Sequence, residues 1–314
     1  MRVIGLDEIR STLEMNTAIE AIRAGFVAFS RGDVQLGKVG HLAFPQFSDD
    51  CHIKSAASAS NDLFVVKVAS GFTRNQERGL PVNSGLMMLF DAKTGFPVCL
   101  LKDEGWLTDL RTGIAGMLAA QLIKPEHGTC VGIVGTGVQA RLQAQLALQF
   151  GGFERAVVWG RSPESAERLA AELRGAGLDV LASASPSALG GDADVIVTTT
   201  PARSPVLNET MVRSNARIVA VGADTPGKQE LSTELTLWMN VVLADSREQC
   251  IEQGEIATAY NTGHMEMDRI GSFGEALATQ RALLGDASAL VDLTGLGVQD
   301  LSIATVAAQG VLAA

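Results

Sequence analysis

The sequence predicts an α/β protein: a mostly antiparallel sheet in the first third, then a Rossmann-type, doubly wound parallel sheet. Three observations carry this. Residues 34–105 hold strand-like runs with no helix between them. From residue 130 onward, short β-branched runs alternate with helical segments, as strands buried on both faces do. The first of those runs, VGIV, turns directly on Gly135-Thr136-Gly137.

Taken in order, MNTAIEAIRAGFVAFSR (15–31) places apolar residues at helical spacing and stops at Gly32-Asp33. LFVVKVASGF (63–72), SGLMMLF (84–90) and FPVCLL (96–101) read as strands, separated by Gly-Leu-Pro and by Asp91-Ala-Lys-Thr-Gly95. TDLRTGIAGMLAAQLI (108–123) is a helix rich in small residues. CVGIV (130–134), AVVWG (156–160), DVIVTTT (194–200), ARIVAVG (216–222) and NVVLADS (240–246) are the parallel strands, and VQDLSIATVAAQGVLAA (298–314) is a final apolar helix.

The chain has 314 residues, 46% hydrophobic and 19% charged, which suits a folded globular protein. Its net charge of −10 repels phosphate backbones and acidic lipid, so neither nucleic-acid nor membrane partners are expected. No signal segment or membrane span is apparent, and Cys51, Cys99, Cys130 and Cys250 form no close pair. The expectation is a cytoplasmic protein with reduced thiols. The histidines (41, 52, 127, 264) show no ligand spacing, so no metal site is expected.

Gly135-Thr136-Gly137-Val138-Gln139-Ala140 fits G-x-G-x-x-A between a strand and a helix. The first glycine permits the turn and the second lets a pyrophosphate approach. The small sixth residue allows close packing, while the helix start offers N–H groups. An NAD site ordinarily places Asp or Glu at the end of the next strand, to hold the ribose hydroxyls. Gly160, Arg161 and Ser162 stand there, and Glu154 comes too early. A cation and a hydroxyl suit a 2′-phosphate, so the reading is NADP(H) or NAD(H), leaning to NADP(H). Thr199 and Thr200 end one further strand, and Val221, Gly222 and Asp224 follow another. In an open parallel sheet these strand ends line the ligand.

The segments VVKVASGF, GLPVNSGLMMLFDAKTG, LTDLRTGIAGMLAA, VGIVGTGVQAR, VGADTPGKQEL and LTGLGVQDLSIA run in order through nearly the whole chain. Together they resemble the ornithine cyclodeaminase/mu-crystallin family. The resemblance implies a substrate-binding and dimerisation domain (1–118 plus 298–314), a dinucleotide-binding Rossmann domain (119–297) and a homodimer. It also implies that Lys67 is the active-site lysine and that Arg111 holds the substrate α-carboxylate. Asp224 is then the aspartate of the cyclodeaminase and alanine dehydrogenase branches.

These residue types suit the chemistry. Arg111 can clamp a carboxylate through two parallel hydrogen bonds. A buried Lys67 can exchange protons near neutral pH, and Asp224 can position water, ammonia or an ammonium. In one respect the chain departs from the family: Lys54 stands about where ornithine cyclodeaminase has an acidic residue for the distal amine. A lysine there repels that ammonium. With His52, and Lys38 close by, it points instead to a second carboxylate or to an otherwise compact, non-cationic substrate. The expected activity is reduction of a small α-imino acid, or oxidation of the α-amino acid, an iminosuccinate-like dicarboxylate included. A cyclodeaminase and a non-catalytic NADPH-binding protein are the alternatives.

Overall fold

The structure is a computed structural model and describes residues 1–46, 49–279 and 285–313, so residue 314, the end of the expected C-terminal helix, lies outside it. Contacts divide the chain into two compact units: Met1–Arg111 with the segment from Leu296, and Thr112–Gly295. The first division lies at 111/112 where the sequence suggests 118/119, and both positions fall inside one unbroken helix, Trp106–Ile123. The second boundary lies at 295/296 rather than 297/298.

The first unit begins with β1 (Arg2–Gly5), α1 (Leu6–Thr12), α2 (Met15–Ser30), β2 (Val34–Leu36) and β3 (Gly40–Phe44). It continues through β4 (Asp49–Ser58), β5 (Leu63–Gly71), β6 (Asn83–Asp91) and β7 (Pro97–Lys102) to α3 (Trp106–Ile123). Its sheet has the order β1-β7-β6-β5-β4-β2, with β3 also on β4. Every pair is antiparallel except β1 with β7. Cross-strand register puts Lys54, Lys67, Met87 and Leu101 in one row, because side chains directly opposite share a face. All four are buried. The alternate row (Val66, Met88, Leu100, Val3) is apolar yet partly or fully exposed.

The second unit contains β8 (Cys130–Val134), α4 (Val138–Gln149), β9 (Arg155–Trp159), α5 (Pro163–Gly175), β10 (Val180–Ala182) and α6 (Pro186–Asp192). There follow β11 (Val195–Thr198), β12 (Arg217–Ala220), α7 (Thr233–Trp238), β13 (Val241–Ala244), α8 (Arg247–Gln253) and α9 (Ala257–Asn261). The unit closes with β14 (Ile270–Ser272), α10 (Phe273–Thr279) and β15 (Ala289–Asp292). All strands are parallel, in the order β10-β9-β8-β11-β12-β15-β13-β14. The five strands read from sequence are all present. Those not read, β10, β14 and β15, are three or four residues long. Val131, Ile133, Ile218, Val219 and Val291 are fully buried, and each contributes roughly 1.5–3 kcal/mol through removal from water. The strand order reverses at β8, which makes the carboxyl ends of β8 and β11 the expected ligand position of this sheet.

The C-terminal helix α11 (Gly297–Ala313) belongs to the first unit and packs on α2 and on β4, β5 and β6. Gly25 of α2 permits that approach, since a Cβ there would come within 2.5 Å of Ser302 Oγ. Among the described residues no helix is long and apolar enough to cross a membrane.

Candidate active site

Lys67 lies in the middle of β5, flanked by Val66 and Val68, and is 2% exposed. Burying an ammonium without a partner is prohibitively costly, so its surroundings must hold an anion. They do: Lys67 Nζ donates to Asp300 Oδ1 at 2.9 Å. Arg111 Nε lies 3.0 Å from the same oxygen, and Arg111 Nη1 donates to Gln299 Oε1 at 2.7 Å. Gln299 Oε1 also accepts the Leu296 N–H at 2.9 Å, which fixes the amide at the start of α11. Arg111 therefore has one edge anchored and further N–H donors remaining for a carboxylate.

Burial pushes Lys67 down to about 7, with Arg111 and Lys54 adding repulsion and Asp300 opposing. Asp300 moves the other way: despite burial, Lys67 and Arg111 hold its carboxyl below the ordinary range. Lys54 is buried and directly opposite Lys67 in the β4–β5 ladder. Asp103 caps α3 by accepting the Leu107 N–H, and burial raises its carboxyl to about 6. The turn that aims α3 puts Glu104 at φ 56° and Gly105 at φ 88°. A non-glycine residue there is held by its surroundings, here the Asp103 cap.

In the second unit, Gly135 has φ 131°, open to glycine alone, and a Cβ would strike Thr199 Oγ1 at 2.4 Å. Ala140 is buried, while Gly137 is exposed and a Cβ on it would project into open space. Helices α5, α6, α7 and α8 each begin at a serine whose side chain accepts a backbone N–H. By contrast, α4 begins at Gly137 with no side-chain cap. An uncapped helix start beside an open glycine fits a pyrophosphate. Thr136, Val138 and Gln139 complete this turn.

The strand ends that face this turn are held by one residue the sequence reading did not identify, Glu230. It accepts Thr198 Oγ1–H at 2.7 Å, the Thr200 N–H at 2.6 Å and the Gly222 N–H at 2.8 Å. Thr199 Oγ1 donates to Val134 O, and Val221, the residue after β12, is buried. Glu255 in turn accepts the Glu230 and Leu231 N–H groups. Glu230 lies within the segment VGADTPGKQEL, where Asp224 drew the attention, and Glu255 lies in none of the quoted segments; the hydrogen bonds that give both their role come only with the fold.

The remaining expected residues have other engagements. Asp224 sits on an exposed turn in the second unit and pairs with Lys228 at 2.5 Å. Ser162 caps α5, accepting the Ser165 N–H, and donates to Glu164 at 2.8 Å. A carboxylate thus lies against the cap beside exposed Arg161, although the sequence reading found none at this strand end. His52 Nε2 lies 3.2 Å from Asp50 Oδ2, and its ring stacks on His41.

The profile of the ornithine cyclodeaminase/mu-crystallin family matches residues 2–313. The chain belongs to that family. Iminosuccinate reductase of Paracoccus denitrificans is 31% identical, over 97% of this chain and 94% of its own. The crystal structure of that enzyme with NAD+ superposes with a TM-score of 0.91 at 30% identity, covering 100% of this chain and 97% of that one. Alanine dehydrogenase of Archaeoglobus fulgidus is 28% identical, over 99% and 95%. An archaeal alanine dehydrogenase dimer with bound NAD gives a TM-score of 0.90 at 28% identity, over 100% and 96%. The mouse ketimine reductase mu-crystallin is 27% identical, over 94% and 91%. These family members are reductases or dehydrogenases of imines and amino acids, and the first two structures hold NAD.

Proposed function

We propose that the protein is a cytoplasmic, homodimeric NAD(P)H-dependent imine reductase or amino-acid dehydrogenase acting on a small α-imino or α-amino dicarboxylic acid of the iminosuccinate type. The observation that carries this reading is the buried cluster in which Lys67 and Arg111 meet Asp300, with Lys54 directly opposite Lys67 on the neighbouring strand. Arg111 and Lys54 both act on Lys67 as positive charges, and such a field favours an anionic substrate.

Arg111 receives the α-carboxylate through the donors that Asp300 and Gln299 leave over. Lys54 receives the distal carboxylate. Lys67, brought to about 7, gives its proton to the substrate nitrogen in reduction and takes it back in oxidation. A bound nicotinamide dinucleotide supplies or accepts the hydride at the substrate Cα. Gly135–Ala140 would hold its pyrophosphate, and Thr199, Thr200, Val221 and Gly222 are the further residues that would contact it. Asp224 keeps the proton-handling role that the family resemblance implies. His52 drops out of the carboxylate set, because Asp50 and His41 already engage its ring.

At the adenosine ribose, Arg161 favours a 2′-phosphate, while Glu164 beside Ser162 opposes one and suits free hydroxyls. Titrating NADH and NADPH side by side separates the two. The exposed apolar row Val66, Met88, Leu100 and Val3 supports pairing of two copies through this sheet.

The test follows absorbance at 340 nm with both nicotinamides across mono- and dicarboxylic imino and amino acids. The expected result is steady net turnover, fastest with a dicarboxylate, and a fall of about a hundredfold or more in that activity for Lys54→Glu. Ammonia release with no net change at 340 nm would establish a cyclodeaminase instead. Equal rates for mono- and dicarboxylates would remove the role given to Lys54.

A further inference from the structure

Pairing of β3 with β4 sets His41 directly opposite His52. The two imidazole rings stack with centroids 4.7 Å apart and planes 23° from parallel. Asp50, two residues before His52, falls on the same face by the alternation of a strand. Its Oδ2 lies 3.2 Å from His52 Nε2 and 3.6 Å from His41 Nε2. One ligand atom from each of the three residues can be chosen so that all lie within 4.8 Å of one another.

These distances have a coordination meaning. Nitrogen and oxygen ligands sit about 2.0–2.2 Å from zinc in a tetrahedron, which puts neighbouring ligand atoms about 3.4 Å apart. The 3.2 and 3.6 Å separations straddle that edge. A bare hydrogen-bonded arrangement needs one imidazole on the aspartate, whereas here a single oxygen addresses the Nε2 atoms of two rings. Two imidazoles and a carboxylate suit a borderline divalent transition metal; calcium and magnesium prefer all-oxygen shells. The ligands stand on paired strands, so their spacing does not depend on a loop.

We propose that His41, Asp50 and His52 form a Zn2+-binding site with three protein ligands and an open coordination position for water or a carboxylate oxygen. The side chains are 45%, 37% and 24% exposed, so an ion reaches them without opening the fold. The charges nearby work in both directions. Asp50 and the overall charge of −10 attract the ion, while Lys54, next but one along β4 from His52, repels it. Cys51 alternates to the other face of β4 and is no ligand. His41, Asp50 and His52 share their face of the sheet with Lys54 and Lys67, one cross-strand row or more away. The site stands without the reading of the function given above, because it rests on strand register and ligand distances alone.

The test is a zinc titration of metal-stripped protein against a chromophoric chelator, with no substrate or nucleotide present. The expected result is one site, with binding weakened at least about tenfold in His41→Ala and in His52→Ala and unchanged in His127→Ala and His264→Ala. Asp50→Asn, which keeps shape and removes charge, is expected to weaken it as well. Circular dichroism establishes that each variant is folded, and His41→Gln replaces His41→Ala if the latter is not. X-ray anomalous scattering at the zinc edge is expected to place the ion at the ring edges, beside the two Nε2 atoms and Asp50 Oδ2, with the imidazoles turned so that both lone pairs meet it. No binding, or equal binding by wild type and the histidine variants, would overturn the proposal.

Discussion

The two sheets bury charge in opposite ways. In the antiparallel unit, one carboxylate, Asp300, sits among Lys67, Arg111 and Lys54, and the cations hold it ionised. In the parallel unit, Glu230, Glu255, Asp245 and Asp292 are buried near the carboxyl ends of the strands and hydrogen-bonded to uncharged groups, and burial raises all four. Their hydrogen bonds come chiefly from backbone N–H groups, from hydroxyls and from the Cys250 thiol. The same desolvation thus yields an ionised acid where cations surround it, at Asp300, and acids driven toward neutrality where peptide N–H groups do, in the parallel unit and at Asp103 of the antiparallel one. Where the neighbours are cations, charge is retained and available for chemistry. Where they are peptide dipoles, the acid serves as a bracket that ties loops to strand ends.

The largest expected effect comes from breaking the first arrangement. Asp300→Asn leaves two cations buried without their anion, and urea denaturation at pH 7 is expected to show a loss of about 3–5 kcal/mol. The same variant tests function separately. Asp300 raises Lys67, so without it Lys67 falls further and the alkaline limb of kcat/KM moves to lower pH. An unmoved pH profile would show that Asp300 only supports the fold.

An intermediate effect tests the second arrangement. Glu255 is raised from 4.5 to about 8 and Asp292 from 3.8 to about 7. Their neutral forms are favoured in the folded state, so the folded state binds more protons than the unfolded chain between those limits. Stability from these groups is complete below about pH 4 and falls as pH rises, by at most about 1.4 kcal/mol per pH unit for each group. Lys67 acts with the opposite sign, but only from about 7 up to 10.5. Denaturant melts of wild type between pH 5 and 7 are therefore expected to show stability falling, and Glu255→Gln is expected to flatten that slope. An unchanged slope would mean that Glu255 is ionised in the fold.

The smallest effect sharpens the cation cluster. Lys54 lowers Lys67 by repulsion, though less than burial or Arg111 does. Lys54→Met is expected to move the pH profile of a monocarboxylate substrate slightly upward. A downward shift would show that Lys54 contributes no positive field at Lys67.

Several features were readable residue by residue because their physics is local. Gly135, with its positive φ, and Gly137, opening a helix, announce a phosphate turn through spacing alone. The long strand runs and the amphipathic helix α2 follow from periodicity. One central strand carried no such signal: β15 is four residues, ALVD, buried throughout, and it lies between β12 and β13. The departure at Lys54 was visible as a residue type in an unexpected place, but its position opposite Lys67 is a matter of strand register.

The sequence by itself determined the family, the class of each half and the residues whose conformation or motif is fixed by near neighbours. Only tertiary structure decided which charges meet. Lys67 and Asp300 are 233 residues apart in the chain and 2.9 Å apart in space. Thr198 and Glu230, and the stacked His41 and His52, are likewise brought together by strand pairing and loop packing. A side chain's pKa and its possible ligands depend on what lies within a few ångströms, and that distance is set by the fold, not by position along the chain.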